Sequence, residues 1–197
     1  LDSVPQGLPA IYCSRSLLVD ADDNPIGMSP LFSKTPGFKN ALTQNIGGGN
    51  TMVFNEAARQ LLIEAGEEVQ VVTHDWWAYL LVSGCGGRVL YDPKPTIRYR
   101  QHDSNLVGMN STCSARLKRI RQLFQGQFRA WNDLNVSALL RVRSKLTIDN
   151  RATLDQFITS RQKPIISRLK GLKKSGIYRQ TIFGRLGLVV AAIFNKI

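Results

Sequence analysis

The sequence predicts an α/β region followed by a mainly helical extension, and three observations carry that prediction. Strand-like and helix-like segments alternate between residues 10 and 100. From Thr112 onward the strand signals stop, and apolar residues recur three and four positions apart, the period of a helix. Charge also changes sign along the chain: residues 1–105 hold eight Lys/Arg against eleven Asp/Glu, and residues 106–197 hold eighteen against three. The division this suggests is an α/β part over 1–110 and a basic helical extension over 111–197.

The elements follow in order. Ala10 to Val19 is apolar, β-branched and aromatic, so it reads as a strand, and Asp20 to Gly27 is turn chemistry. A short helix is expected over Phe38–Asn45 and a short strand over Asn50–Asn55, with Gly47-Gly-Gly49 breaking the chain between them. Asn55 is placed to cap a helix over Glu56–Ala65, which Gly66 ends. In Thr73–Ser83, Trp76, Trp77, Leu80 and Leu81 fall at helical spacing. Arg88–Tyr91 and Thr96–Arg100 read as two strands around a Pro93/Pro95 turn. Helices are then expected over 116–131, 134–146 and 148–170. Gly171 to Gly176 punctuates, and a basic, apolar segment closes the chain over 177–197.

Composition bounds the function classes. An apolar share of 43%, with eight Phe, five Tyr and three Trp, is enough to fill a core. Leu1 to Ala10 holds no basic, apolar signal-peptide pattern, and Leu186–Phe194 is about half of the ~20 residues a spanning helix needs. A soluble or peripheral cytoplasmic protein is the expectation. Cys13, Cys85 and Cys113 form no C-x-x-C pair, so neither a disulfide framework nor a zinc site is suggested.

Chemistry gathers in three segments: Gly47-Gly-Gly-Asn-Thr51, His74-Asp-Trp-Trp77 and Tyr99-Arg-Gln-His102. Singly, each has a plain structural reading: a flexible turn, a helix N-terminus, a solvated histidine. Together they supply a backbone loop that a ligand can approach closely, a carboxylate at a helix start and an imidazole at a strand end. That set suits acid/base work beside a phosphate-bearing ligand.

The segments Ile11-Tyr-Cys-Ser-Arg15, Gly49-Asn-Thr-Met-Val-Phe-Asn55, His74-Asp-Trp-Trp77, Tyr91-Asp-Pro-Lys-Pro95 and Tyr99-Arg-Gln-His-Asp-Ser-Asn105 resemble bacterial family 2 glycosyltransferases. Within that family the likeness is to the rhamnosyltransferase-like enzymes of cell-surface polysaccharide synthesis. It covers roughly residues 9–110. It implies the C-terminal part of a GT-A, Rossmann-like sheet and inverting transfer from a nucleotide-sugar donor to a glycan or lipid-linked acceptor. Gly47, Gly48, Gly49, Asn50 and Thr51 correspond to the loop bordering donor sugar and acceptor. Asp75 matches the carboxylate that takes the acceptor's proton. His74, Trp76 and Trp77 would wall the acceptor pocket, and His102 matches a histidine that helps hold a divalent metal (Mg or Mn) and the diphosphate. The family carries its nucleotide-binding strands and an aspartate-rich metal motif ahead of these segments. The resemblance therefore implies a donor-binding half upstream, without which this chain is expected to be inactive. Asp20-Ala-Asp22 spells D-x-D but stands where the family has a variable turn. An EF-hand fails there as well, with Pro25 and Leu31 at the glycine and glutamate positions.

Against the enzyme stands a non-catalytic basic module contacting a membrane surface or nucleic acid. Nucleic acid is the disfavoured partner, since no zinc-finger, RNP or basic-zipper signature is present. In residues 170–197, Lys170, Lys173, Lys174, Arg179 and Arg185 alternate with Leu172, Ile177, Tyr178, Ile182, Phe183 and Leu186, the pattern of a helix lying on an anionic membrane.

Overall fold

A computed structural model describes residues 1, 3–101, 121 and 125–197. Strand β1 (Ala10–Val19) is the centre of a four-stranded sheet. Strand β4 (Arg88–Arg100) runs parallel to it along its whole length, from Ala10 opposite Arg88 to Val19 opposite Arg100. The other edge of β1 is shared by two short antiparallel strands. Strand β3 (Val53–Phe54) pairs at Ile11 and Tyr12, and β2 (Pro25–Met28) pairs at Leu17 to Val19. The sheet is thus mixed, and the architecture is α/β in the broad sense. A parallel neighbour requires a crossover, and the helices between β1 and β4 supply it.

Those helices are α1 (Phe38–Ala41), α2 (Glu56–Ala65) and α3 (His74–Gly84). Asn55 caps α2 as its position predicts, its Oδ1 accepting the Ala58 N–H at 3.0 Å. Every residue of α3 from Trp76 to Gly84 is buried, because this helix has no polar face and so must be enclosed on all sides. Tyr79 joins it to α1, with its hydroxyl accepting the Gly37 N–H at 2.8 Å and lying 3.0 Å from Asn40 Oδ1.

Among the described residues four further helices follow: α4 (Gln127–Arg141), α5 (Ile148–Arg161), α6 (Ile165–Lys174) and α7 (Ile182–Ile193). Their apolar faces enter the same core as α1 and α3. Leu139, Leu146, Phe157, Leu172 and Leu188 belong to one cluster with Phe38, Trp76 and Leu80. Polar ties reinforce the junction. Asn150 Nδ2 donates to the Ser83 and Gly84 carbonyls at the end of α3, and the Gln180 carboxamide bonds both the N–H and the carbonyl of Lys34. The basic extension is packed onto the α/β part rather than strung from it.

Several expected boundaries differ. The two strands around Pro93 and Pro95 are one strand, with the pairing shifting register at Ser14–Ser16 to pass the prolines, which cannot donate to a ladder. Residues 25–27, expected as turn, belong to β2 and pair with β1 because the Asp20 turn closes already at Asn24. The expected strand over 50–55 shrinks to two residues behind a 3₁₀ turn at Gly49–Thr51. The expected helix over 148–170 breaks before Pro164, whose ring cannot continue it. Gly171 lies inside α6, where a Cβ would come within 2.2 Å of Ser160 Oγ on α5, so it is a packing glycine and not punctuation.

Candidate functional site

The glycine loop is folded by its own polar groups. Asn45 Oδ1 accepts the Ile46 N–H at 2.9 Å, while its Nδ2 donates to the Gly47 carbonyl at 2.9 Å. The buried Thr51 hydroxyl donates to the Gly48 carbonyl at 2.9 Å and closes the 3₁₀ turn. Close approach explains two of the glycines. A Cβ on Gly47 would lie 2.8 Å from Cys13 Cβ on β1, and one on Gly49 would lie 2.2 Å from His74 Nε2 at the start of α3. The His74 imidazole therefore rests directly on the Gly49 backbone.

At that same helix start Thr73 stands as the N-cap residue, extended and making no side-chain cap bond. Asp75 takes over part of that work, with Oδ1 accepting the Trp76 N–H at 2.8 Å. Asp75 is half-buried and His74 is exposed. The structure thus brings His74 onto the glycine loop, with Asp75 next to it in the chain.

The two tryptophans are placed differently. Both are only 6% exposed. The Trp76 indole N–H donates to the buried Ala41 carbonyl at 2.7 Å, and its ring meets Trp131 edge-on at 6.3 Å. Trp77 borders a groove of about 350 Å³ between α2 and α3, beside Leu62, Ile63 and Val69. Asn50 is exposed at the tip of the glycine loop. His102 lies outside the described residues. The last residue before it, Gln101, donates its N–H to the Val19 carbonyl at 2.8 Å, which brings the chain to the C-terminal end of β1.

Asp20-Ala-Asp22 forms a turn: Asp20 Oδ1 accepts the N–H groups of Asp22 and Asn24 at 3.0 and 2.8 Å, which holds its carboxyl below the usual range. Among the described residues no group of three or more His, Cys, Asp or Glu side chains is placed to hold a metal ion. The expectation of a divalent metal therefore rests on His102 and the resemblance alone. Burial pushes the Cys13 thiol up to about 12 and the Cys85 thiol to about 11, as suits packing residues rather than nucleophiles.

One polar group escaped the sequence reading. The Tyr12 hydroxyl donates to Asp92 Oδ2 at 3.0 Å, and two positions on, Ser14 Oγ meets Thr96 Oγ1 at 2.5 Å. Burial first, and the Asp92 carboxylate second, raise the Tyr12 phenol. The signal for this row was the alternation of Tyr12, Ser14 and Ser16 with Ile11 and Cys13 along β1. Comparison of the chain with family models, curated proteins and solved structures found no match.

Proposed function

We propose that this chain is the acceptor-side part of an inverting family 2 glycosyltransferase of GT-A fold, with Asp75 as the base that accepts the acceptor hydroxyl's proton. The observation that supports this reading most is the seating of His74 on Gly49, which joins two of the three motifs behind the resemblance. Asp75 follows His74 directly in the chain, and on this reading its carboxylate meets the acceptor hydroxyl while the glycine loop borders the donor sugar. Among the described residues only Oδ1 of Asp75 is engaged, so Oδ2 is the oxygen assigned to the proton. General-base help of this kind is worth about 10²–10⁴ in rate. The hydroxyl oxygen bonds to the anomeric carbon as the bond to the nucleoside diphosphate breaks, which inverts the centre without a covalent enzyme intermediate.

One observation favours a plainer reading. The Asp75 bond to the Trp76 N–H is what a carboxylate does at any helix start, and a non-catalytic module would keep it. The two readings part on product chemistry. The full-length protein, given a panel of nucleotide sugars and a glycan or lipid-linked acceptor, should yield a glycoside whose anomeric configuration, read by NMR coupling constants, is opposite to the donor's. Retained configuration, or no binding of any nucleotide sugar in calorimetry, would overturn the proposal.

A further inference from the structure

The end of the chain carries cations without acids. After Asp155 the sequence has nine Lys/Arg and no Asp or Glu. Some of these cations are used internally. Arg161 bonds Asp133, Arg168 is buried with Nη1 on the Ala192 carbonyl at 2.6 Å, and Arg179 stacks over Phe128. Lys163, Lys170, Lys173, Lys174 and Arg185 remain at the surface.

The last of the helices also carries an exposed apolar face. In α7, Leu188, Ala191 and Ala192 face the core, while Ile182, Leu186, Val189, Val190 and Ile193 face solvent, with Ile182 75% and Leu186 58% exposed. At 3.6 residues per turn these five positions fall on one unbroken arc of roughly 100°, and the exposed Arg185 borders it. The neighbouring α6, which packs against α7, exposes Ile166 among Lys170, Lys173 and Lys174. The helix is fixed in place. Thr181 caps its start through the Gly184 N–H at 3.0 Å, Arg168 binds its last turn, and Arg161 Nε and Arg129 Nη1 bond the carbonyls of Ile197 and Asn195 just beyond.

We propose that this face docks on an anionic lipid bilayer, with the α7 apolar arc entering the interface and the surrounding lysines and Arg185 meeting lipid headgroups. No helix among the described residues is long and apolar enough to cross a membrane. At about 18 Å, α7 is shorter than the ~30 Å hydrocarbon core, so it lies in the plane of the interface. Two other occupants fit less well. A second copy of the chain would bring like-charged surfaces together with no acids between them, and a nucleic-acid backbone gains nothing from an apolar arc. An anionic bilayer accommodates both features at once. The helix is already folded and pinned, so docking carries little of the ordering cost a disordered amphipathic segment meets.

The inference is independent of the enzymatic reading and is tested on the whole chain by co-sedimentation. Vesicles of phosphatidylcholine alone are compared with vesicles of equal parts phosphatidylcholine and phosphatidylglycerol. Binding to the anionic vesicles is expected to exceed that to the neutral ones at least about tenfold and to fall with added salt. The double variant Ile182→Ser/Leu186→Ser removes apolar area at exposed positions, so circular dichroism should be unchanged while anionic-vesicle affinity drops at least about tenfold. Lys173→Gln/Lys174→Gln should weaken anionic binding and leave neutral binding unaltered. Failure of the wild-type chain to sediment with anionic vesicles would overturn the proposal, as would undiminished binding by the serine variant. A wild-type dimer in sedimentation velocity that the serine variant abolishes would assign the face to a second copy instead.

Discussion

Substituting alanine at Gly47 and at Gly49 should separate the scaffold from the site. Both added methyls meet a neighbour below the contact distance real side chains show, at 2.8 Å for Gly47 and 2.2 Å for Gly49. The shorter distance is the less costly one. Gly47 would press on Cys13 Cβ, which has no flexible end to move aside and belongs to a fully buried residue in the middle of the central strand. Overpacking of that sort costs about 1–3 kcal/mol. Gly49 would press on the far end of the His74 ring, an exposed side chain that can rotate away, so Gly49→Ala should cost under about 1 kcal/mol. Its effect belongs to the site, because the imidazole leaves the glycine loop. Urea unfolding of the two variants gives the stability difference, and the His74 ring proton shifts report its displacement. If Gly49→Ala proves as destabilising as Gly47→Ala, or if Gly47→Ala unfolds at the wild-type midpoint, the loop does not pack as described and the reasoning fails.

Two further perturbations check the interior and the pH response. Trp76→Phe keeps most of the ring but strips the buried Ala41 carbonyl of its 2.7 Å partner, so urea unfolding should show a loss of about 1–3 kcal/mol with an unchanged m-value. Asp20, held below its ordinary 3.8 chiefly by the Asn24 N–H, and Asp92, held down by the Lys94 N–H and the Tyr12 hydroxyl, stabilise the fold only while ionised. Their depressed folded values mean that this stability is complete above the unfolded carboxylate range and is lost as pH falls through the folded values. The melting temperature should therefore drop on the acid side, and Asp20→Asn, which can still accept the turn's N–H groups, should flatten part of that drop. An identical acid slope in the variant would remove Asp20 from the account.

Local signals carried much of the fold. The limits of β1 and the Asn55-capped start of α2 were legible because propensity, turn chemistry and capping are written in adjacent residues. Non-local contacts were not. Asn55 also receives the Ala10 N–H on Oδ1 and donates from Nδ2 to the Leu8 carbonyl, stitching β1 to α2 in a way no spacing reveals. The continuity of β4 through Pro93 and Pro95 depends on a register shift in its partner, and the role of Gly171 depends on Ser160, so both were misread from the chain alone. At the candidate site Gly49 and His74, from two of the three motif segments, lie in apposition, while His102 of the third lies outside the described residues. The burial of Trp76 and Trp77 had a signal in the run Trp76–Val82, which holds no charged residue and leaves α3 without a polar face. The sharing of one core by the α/β part and the basic helices was masked by the change in charge, most of which lies on the outer faces of those helices.

The most direct test of the central claim is the turnover of the full-length protein carrying Asp75→Asn, measured beside its donor affinity. Asparagine retains an oxygen for the Trp76 N–H, so the start of α3 and the seating of His74 on Gly49 should persist, but it cannot take up the acceptor's proton. The account predicts a fall in turnover of about 10²–10⁴ with nucleotide-sugar affinity nearly unchanged, whereas His102→Ala should weaken donor binding. Turnover by Asp75→Asn at close to the wild-type rate would contradict it and leave Asp75 as the end of a helix.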